Sequence, residues 1–254
     1  MSGTQLTFIL SGTSVSYAEV LRSSQSVVRK ETHHFTSTRE AEIKDELKDF
    51  IAGLNLNSDY QEYSLAWCSP NFALFPSAVF SDSTPAALAQ LVFGDAIEKN
   101  NIDFNRISEL SMVNVYEIPL WVKSFFIIKF PQILIQHEET MNVRALFQGE
   151  VFKLKIVVGI FDNYFSLNII DKTDLVFANS YGYTSVEDIV YYTQFALKSK
   201  SIQAPKAALF GVTSSEKSEE LFEQFSSTFS KIQSSTMTID VNSKSHFQQQ
   251  TLCV

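Results

Sequence analysis

The feature that most constrains this chain is an internal repeat. Phe35-Thr36-Ser37-Thr38-Arg39-Glu40 and Tyr183-Thr184-Ser185-Val186-Glu187-Asp188 each place an aromatic before Thr-Ser and an acid three residues beyond the serine. This is the pattern of a capping box, in which the hydroxyl accepts from an orphan amide of the first helical turn while the acid reaches back. A helix is expected after each box. The first would bury Ile43, Leu47, Phe50, Ile51 and Leu54. The second would bury Val186, Ile189, Val190 and Leu197, with Tyr191, Tyr192 and Phe195 widening the stripe.

Upstream of each box lie three strand-like runs: Leu6–Leu10, Val15–Leu21 and Val27–Phe35 in the first half, and Phe152–Val158, Tyr164–Ile170 and Leu175–Ser180 in the second. Their turns carry Ser11-Gly12-Thr13, Asp162-Asn163 and Asp171 to Asp174, residues suited to tight hairpins. Downstream, each helix leads into another apolar strand, Tyr63–Cys68 or Ala207–Val212, and the second is followed by a helix with Leu221, Phe222, Phe225, Phe229 and Ile232 on one side. Each half is therefore a β-β-β-α-β unit, and the fold class is α+β (mixed α/β).

A chain of 254 residues accommodates two such units. The first is expected over 1–149, with inserted elements at 72–148, and the second over 150–254, with the boundary near Gly149. In the insertion, helices are expected at Pro85–Phe93, Pro119–Ile128 and Thr140–Phe147, and strands at Ser111–Tyr116 and Gln132–Gln136. Beyond Gln233 the tail reads as a strand, Met237–Val241, then a polar edge strand or loose terminus.

Net charge is −8, with the basic residues scattered and Lys198, Lys200 and Lys206 forming only a loose group, so nucleic acid is not an expected partner. The most apolar stretch, Leu120 to Ile135, is broken by Lys123, Lys129 and Pro131, so no membrane span is expected. A cytoplasmic location follows as the default. Cys68 reads as a core residue and Cys253 stands next to the end, with no metal or redox spacing between them. His33 and His34 fall on opposite faces of a strand, His137-Glu138-Glu139 reads as a solvated strand end, and Glu40, Asp45, Glu46 and Asp49 as the solvated face of a helix. Tyr181, Tyr183, Tyr191 and Tyr192 crowd one region, where the plain role is packing sheet against helix and the alternative is a binding surface.

Two tandem β-β-β-α-β units resemble the actin-like ATPase superfamily, built from duplicated ribonuclease-H-like domains. The stretches Asn71-Phe-Ala-Leu-Phe-Pro-Ser-Ala-Val-Phe, Val115-Tyr-Glu-Ile-Pro, Leu175-Val-Phe-Ala-Asn-Ser-Tyr-Gly-Tyr and Glu187-Asp-Ile-Val-Tyr-Tyr are similar to an uncharacterised bacterial family (a domain of unknown function) with that fold. The resemblance implies a clamp on a nucleotide, with a Gly-rich hairpin and an Asp in each half for phosphates and Mg²⁺, and a Gly-Gly-type turn for adenosine.

In this sequence the hairpin Leu10-Ser11-Gly12-Thr13-Ser14 lacks the Asp. Val158-Gly159-Ile160-Phe161-Asp162-Asn163 carries bulky residues in the turn, and Phe210-Gly211-Val212-Thr213-Ser214 keeps one glycine. The ATPase motifs read as eroded. Two function classes follow: a non-catalytic protein-interaction or scaffold protein (a pseudo-ATPase needing no cofactor, with an unknown protein partner), or a Mg-ATP-binding protein or slow ATPase with unconventional phosphate loops. Under the second, Ser11, Gly12, Thr13, Gly159, Asp162, Gly211 and Thr213 are the cleft candidates. A ribonuclease-type two-metal site is excluded, because Leu6–Leu10 and Tyr63–Cys68 carry no carboxylate and Lys153 and Lys155 stand in the strand of the second half.

Overall fold

The computed structural model describes residues 3–56, 60–94, 97–147 and 154–251. Gly149, Phe152, Lys153 and Cys253 lie outside the described residues. The chain divides into two compact units, Met1–Met141 with Phe247–Val254, and Asn142–His246.

Unit 1 opens with strands β1 (Thr4–Leu10), β2 (Ser14–Leu21) and β3 (Ser26–His34), then helix α1 (Glu40–Gly53) and strand β4 (Glu62–Trp67). After further elements comes β8 (Leu134–His137), completing a sheet ordered β3-β2-β1-β4-β8. β1 runs antiparallel to β2 and parallel to β4, so the hairpin comes first and the helix supplies the crossover that a parallel partner needs. The central strand is covered on both faces, with Leu6, Phe8 and Leu10 on one and the buried Gln5, Thr7 and Ile9 on the other. Leu6, Phe8 and Leu10 pack with Leu47 and Ile51 of α1 and Phe126 in one core.

The capping box expected at Thr36–Glu40 does not form. Arg39 is the N-cap and makes no side-chain cap bond. Instead, the Glu46 carboxylate, a turn further along α1, accepts from both the amide and the hydroxyl of Thr36 and pairs with His33 Nε2 at 2.8 Å. Glu46 is therefore a joint between strand and helix rather than part of a solvated face.

The insertion holds two strands that sequence reading overlooked. β5 (Phe72–Pro76) and β6 (Ile102–Ile107) flank β7 (Met112–Glu117) in a three-stranded antiparallel sheet, order β5-β7-β6, with α2 (Pro85–Phe93) packed on one face through Ala89, Val113 and Val115. α3 (Leu120–Lys129) and α4 (Glu138–Phe147) lie on either side of β8 in the chain.

Unit 2 repeats the first topology. β9 (Leu154–Ile160), β10 (Tyr164–Asp171), β11 (Asp174–Gly182), α5 (Val186–Ser199), β12 (Lys206–Thr213), α6 (Glu216–Gln233) and β13 (Thr238–Ser245) form a sheet ordered β11-β10-β9-β12-β13. Here the Thr-Ser junction keeps its box: the Asp188 carboxylate accepts from the Thr184 amide, the Thr184 hydroxyl and the Ser185 amide at 2.8–3.1 Å. Those bonds hold its pKa below the usual carboxylate value, the Thr184 amide contributing most.

Tyr181, Tyr183 and Tyr192 do pack sheet against helix, with Tyr181 and Tyr192 stacked at 4.3 Å. Tyr191 and Phe195 do not widen the buried stripe; they point out of it, 61% and 53% exposed. α6 presents Phe222, Phe225 and Phe229 to the sheet with Leu221 partly buried beside them, whereas Ile232, expected on the same stripe, is half exposed in the last turn. Each such ring contributes roughly 1.5–3 kcal/mol by burial.

The polar stretch after Val241 first continues the edge strand β13 to Ser245 and then changes character. It forms α7 (His246–Gln250), whose residues from Phe247 onward belong to unit 1. There the Gln250 amide donates to Phe8 O at 3.1 Å and accepts from Ser64 Oγ at 2.6 Å, while Gln5 donates to Ser64 Oγ.

Candidate functional site

In unit 1 the nucleotide-type candidates Ser11, Gly12 and Thr13 share the β1–β2 turn. The Ser11 amide donates to Ser14 O, and the Ser11 hydroxyl accepts from the amides of Thr13 and Ser14 at 3.2 and 3.1 Å. This is a serine turn closed on itself. Phosphate cradles work because backbone amides point outward without acceptors; here three of the turn's amides already have them. A Cβ on Gly12 would meet nothing within 4 Å, so no close approach requires the glycine.

In unit 2 the candidates do not converge. Gly159 and Val212 are register partners on adjacent strands, as are Val158 and Gly211. A Cβ on Gly159 would point at Ser166 Oγ, 2.7 Å away, and towards Asn142 Nδ2. A Cβ on Gly211 would instead fall 2.6 Å from three carbons of the Phe222 ring, in the core beneath α6. The two glycines therefore serve opposite faces of one sheet. Thr213 is buried at the end of β12, beside Ser245 of β13.

Asp162 is exposed in the β9–β10 turn. That turn is filled by Phe161, stacked on Tyr164 at 4.6 Å, and its carbonyl accepts from Tyr183 Oη at 2.6 Å. Burial raises the Tyr183 phenol above its usual pKa, and the Asp162 carboxylate adds to the rise.

Sequence reading missed a buried polar cluster in unit 1. His137, Glu138, Glu139 and Thr140 are all fully buried rather than solvated. His137 Nδ1 accepts from the Glu139 amide at 3.1 Å, so Nε2 carries the hydrogen and donates to Ser69 O at 3.0 Å. Asn105 Oδ1 accepts from the His137 amide and from the Thr140 hydroxyl, which in turn accepts from Asn114. The ring lies between Phe72 and Tyr116. The two glutamates open α4, where the helix dipole favours negative charge. An acidic pair before a helical pattern is a start signal legible in sequence, but its burial is not.

Among the described residues, no group of three His, Cys, Asp or Glu is placed to hold a metal ion, and no helix is long and apolar enough to cross a membrane.

A family model described as "Protein of unknown function (DUF3822)" matches residues 2–232. No curated protein matches the sequence. Among solved structures, a Bacteroides thetaiotaomicron protein with actin-like ATPase fold and unknown function superposes with a TM-score of 0.77 at 14% identity, covering 100% of this chain and 97% of that one. A chain of the PilM–PilN type IV pilus biogenesis complex superposes with a TM-score of 0.59 at 9% identity, covering 96% and 89%. These likenesses establish the actin-like fold.

Proposed function

The chain belongs to the DUF3822 family of proteins of unknown function and has the actin-like ATPase fold, and from that premise we propose that it is a non-catalytic protein-interaction or scaffold protein, a pseudo-ATPase that keeps the clamp fold without its nucleotide chemistry. The observation that carries this reading is the β1–β2 turn, whose amides of Ser11, Thr13 and Ser14 are all bonded within the turn. A phosphate would have to displace those bonds, at about 0.5–1.5 kcal/mol each, before gaining anything from the amides. The Phe222 ring filling the space at Gly211 supports the same reading, since that glycine is accounted for by packing. A partner-binding role is compatible with the fold, which also occurs within the PilM–PilN complex. A cytoplasmic location belongs to the same proposal and is checked by cell fractionation.

Calorimetric titration with Mg-ATP tests it. The expected result is no saturable heat and no rise in the unfolding midpoint at millimolar nucleotide. A ligand present at a hundredfold its Kd stabilises by about 2.7 kcal/mol, a shift that thermal unfolding would not miss. Micromolar binding would overturn the proposal. Mg-ATP would then be the cofactor, and Ser11, Gly12, Thr13, Gly159, Asp162, Gly211 and Thr213 the residues to substitute in search of its site.

A further inference from the structure

Unit 2 has a groove of about 760 Å³ where α5 and α6 end and β12 and β13 begin. Its apolar floor includes Leu197, Ile202, Ala204 and Met237. The floor is built by the way α5 stops. Ser201 adopts a left-handed φ of 53°, the Ile202 amide donates to Leu197 O and the Ser201 amide to Lys198 O, each at 3.0 Å. This is a Schellman motif, whose accompanying apolar contact joins the equivalents of Leu197 and Ile202. Across the groove, the amides of Thr236 and Met237 both donate to Gln233 O at 2.8 Å. These terminal carbonyls have donors, so side chains set the groove's polarity. Gln194, Gln203 and Gln233 supply neutral amides and Lys198 a cation.

The lining segments are basic, with acids beginning beyond them at Asp188, Glu223 and Asp240. Residues 189–206 and 224–239, which contain the whole lining, hold Lys198, Lys200, Lys206 and Lys231 and no Asp or Glu. This occurs in a chain with 28 acidic residues against 20 basic ones. All four lysines are exposed. None takes part in an ion pair among the described residues. Exposed Phe195 and Ile232 stand one residue from the lining Gln194 and Gln233.

We infer that this groove docks an acidic protein segment in extended form. An apolar side chain of the segment rests on Leu197, Ile202 and Met237, its peptide groups pair with the three glutamine amides, and its carboxylates face the lysine rim. Charge complementarity selects the occupant. Phosphate groups are gripped bidentately by arginine forks, whereas the basic residues here are all lysines, set against an apolar floor that suits a peptide side chain. The inference rests on the partner-binding reading above and gives it a surface and a partner chemistry.

The test uses the full chain and a synthetic peptide of one leucine and one phenylalanine flanked on each side by three Glu or Asp residues. Its controls are the same peptide with Lys for every acid, the peptide with Ser for both apolar residues, and an oligothymidylate of matched charge. Amide chemical-shift titration should show saturable binding of the acidic apolar peptide at roughly 10–500 µM, with shifts at 194–206 and 231–237. Affinity should fall as salt rises. Lys198→Glu with Lys231→Glu, at exposed positions that leave the fold intact, should weaken it at least tenfold. Ile202→Ser should weaken it without changing its salt dependence.

No binding at 1 mM peptide, equal binding of the lysine peptide, or preference for the oligothymidylate would each overturn the groove assignment. The Mg-ATP titration separates the two proposals. A silent titration with no peptide binding leaves the partner-binding reading standing and removes this surface, whereas nucleotide binding removes the parent reading.

Discussion

Gly211 lies on β12 with the ring of Phe222 where a side chain would begin. In Gly211→Ala the new methyl would sit 2.6 Å from Cγ, Cδ1 and Cε1 of that ring. Carbon atoms settle at about 3.5–4.0 Å, so ring and strand must separate by roughly 1 Å. Phe222 is 3% exposed, with Phe225 at 6.1 Å and the sheet beneath, so the ring has no open direction in which to swing. Overpacking of this kind costs about 1–3 kcal/mol, and the closed surroundings place this case in the upper half. At about 2–4 °C per kcal/mol for a chain of this size, the unfolding midpoint should drop by about 5–10 °C.

The check is a double-mutant cycle by thermal and urea unfolding of the parent, Gly211→Ala, Phe222→Leu and the pair. Phe222→Leu alone should destabilise through lost packing, yet the pair should be less damaged than the two single costs predict. Coupling of at least about 1 kcal/mol is expected. A Gly211→Ala midpoint within about 1 °C of the parent, with no coupling, would refute the packing account and return Gly211 to the open turn glycine of a nucleotide clamp.

Gly159→Ala should cost less, about 1 kcal/mol, because its nearest obstacle is the rotatable Ser166 hydroxyl; equal losses at both glycines in urea unfolding would refute the difference. Ser201→Gly should stabilise by about 0.5–2 kcal/mol, since only glycine adopts a φ of 53° without a steric penalty, and its urea midpoint should rise. Burial holds the His246 imidazole down at about 4, with only a smaller opposing lift from a backbone hydrogen bond. With the folded pKa below the unfolded one, its contribution is complete above about pH 6.5 and is lost as pH falls towards 4, at about 1.4 kcal/mol per pH unit. Stability measured from pH 7 to 4 should show that slope in the parent and a flatter one in His246→Leu, without loss of stability at pH 7.

The elements legible in sequence are those whose signal is local. Ile43, Leu47 and Ile51 mark α1 at helical spacing, and Phe222, Phe225 and Phe229 mark α6, because a helix buries one stripe of its own residues. The paired hairpins were readable from their turns. β5 and β6 were not, since Phe72–Pro76 ends in proline and pairs with β7 at long range, while Ile102–Ile107, though joined to β7 by a short turn, is interrupted by Asp, Asn and Arg. His137–Thr140 misled for a related reason. Charged and polar residues read as solvated unless their partners are known, and Asn105, Asn114 and Ser69 come from distant strands and loops. Gly211 looked like a phosphate or base contact because nothing in its neighbourhood names Phe222.

The repeat shows which parts of such a fold are free to drift. In both units the core-facing side of the first strand (Leu6, Phe8, Leu10 and Ile156, Val158, Ile160) packs against helices, and any change there costs stability directly. The joints between strand and helix keep one outcome by two routes: the amide and hydroxyl of Thr36 and Thr184 are both held by a carboxylate, but Glu46 arrives from the second turn of α1 and Asp188 from the first turn of α5. The opposite side of the first strands is mixed, with Gln5, Thr7 and Ile9 in unit 1 and Lys155, Val157 and Gly159 in unit 2. Buried polar groups need partners whatever the function. In unit 1 they come from the chain itself, because Gln250 of α7 bonds both Ser64, the partner of Gln5, and the backbone of Phe8. Under the proposed non-catalytic reading, the bonds from Gln250 tie this side of the sheet to α7 without a nucleotide, and changes in the hairpin turns leave the helix-facing core contacts in place.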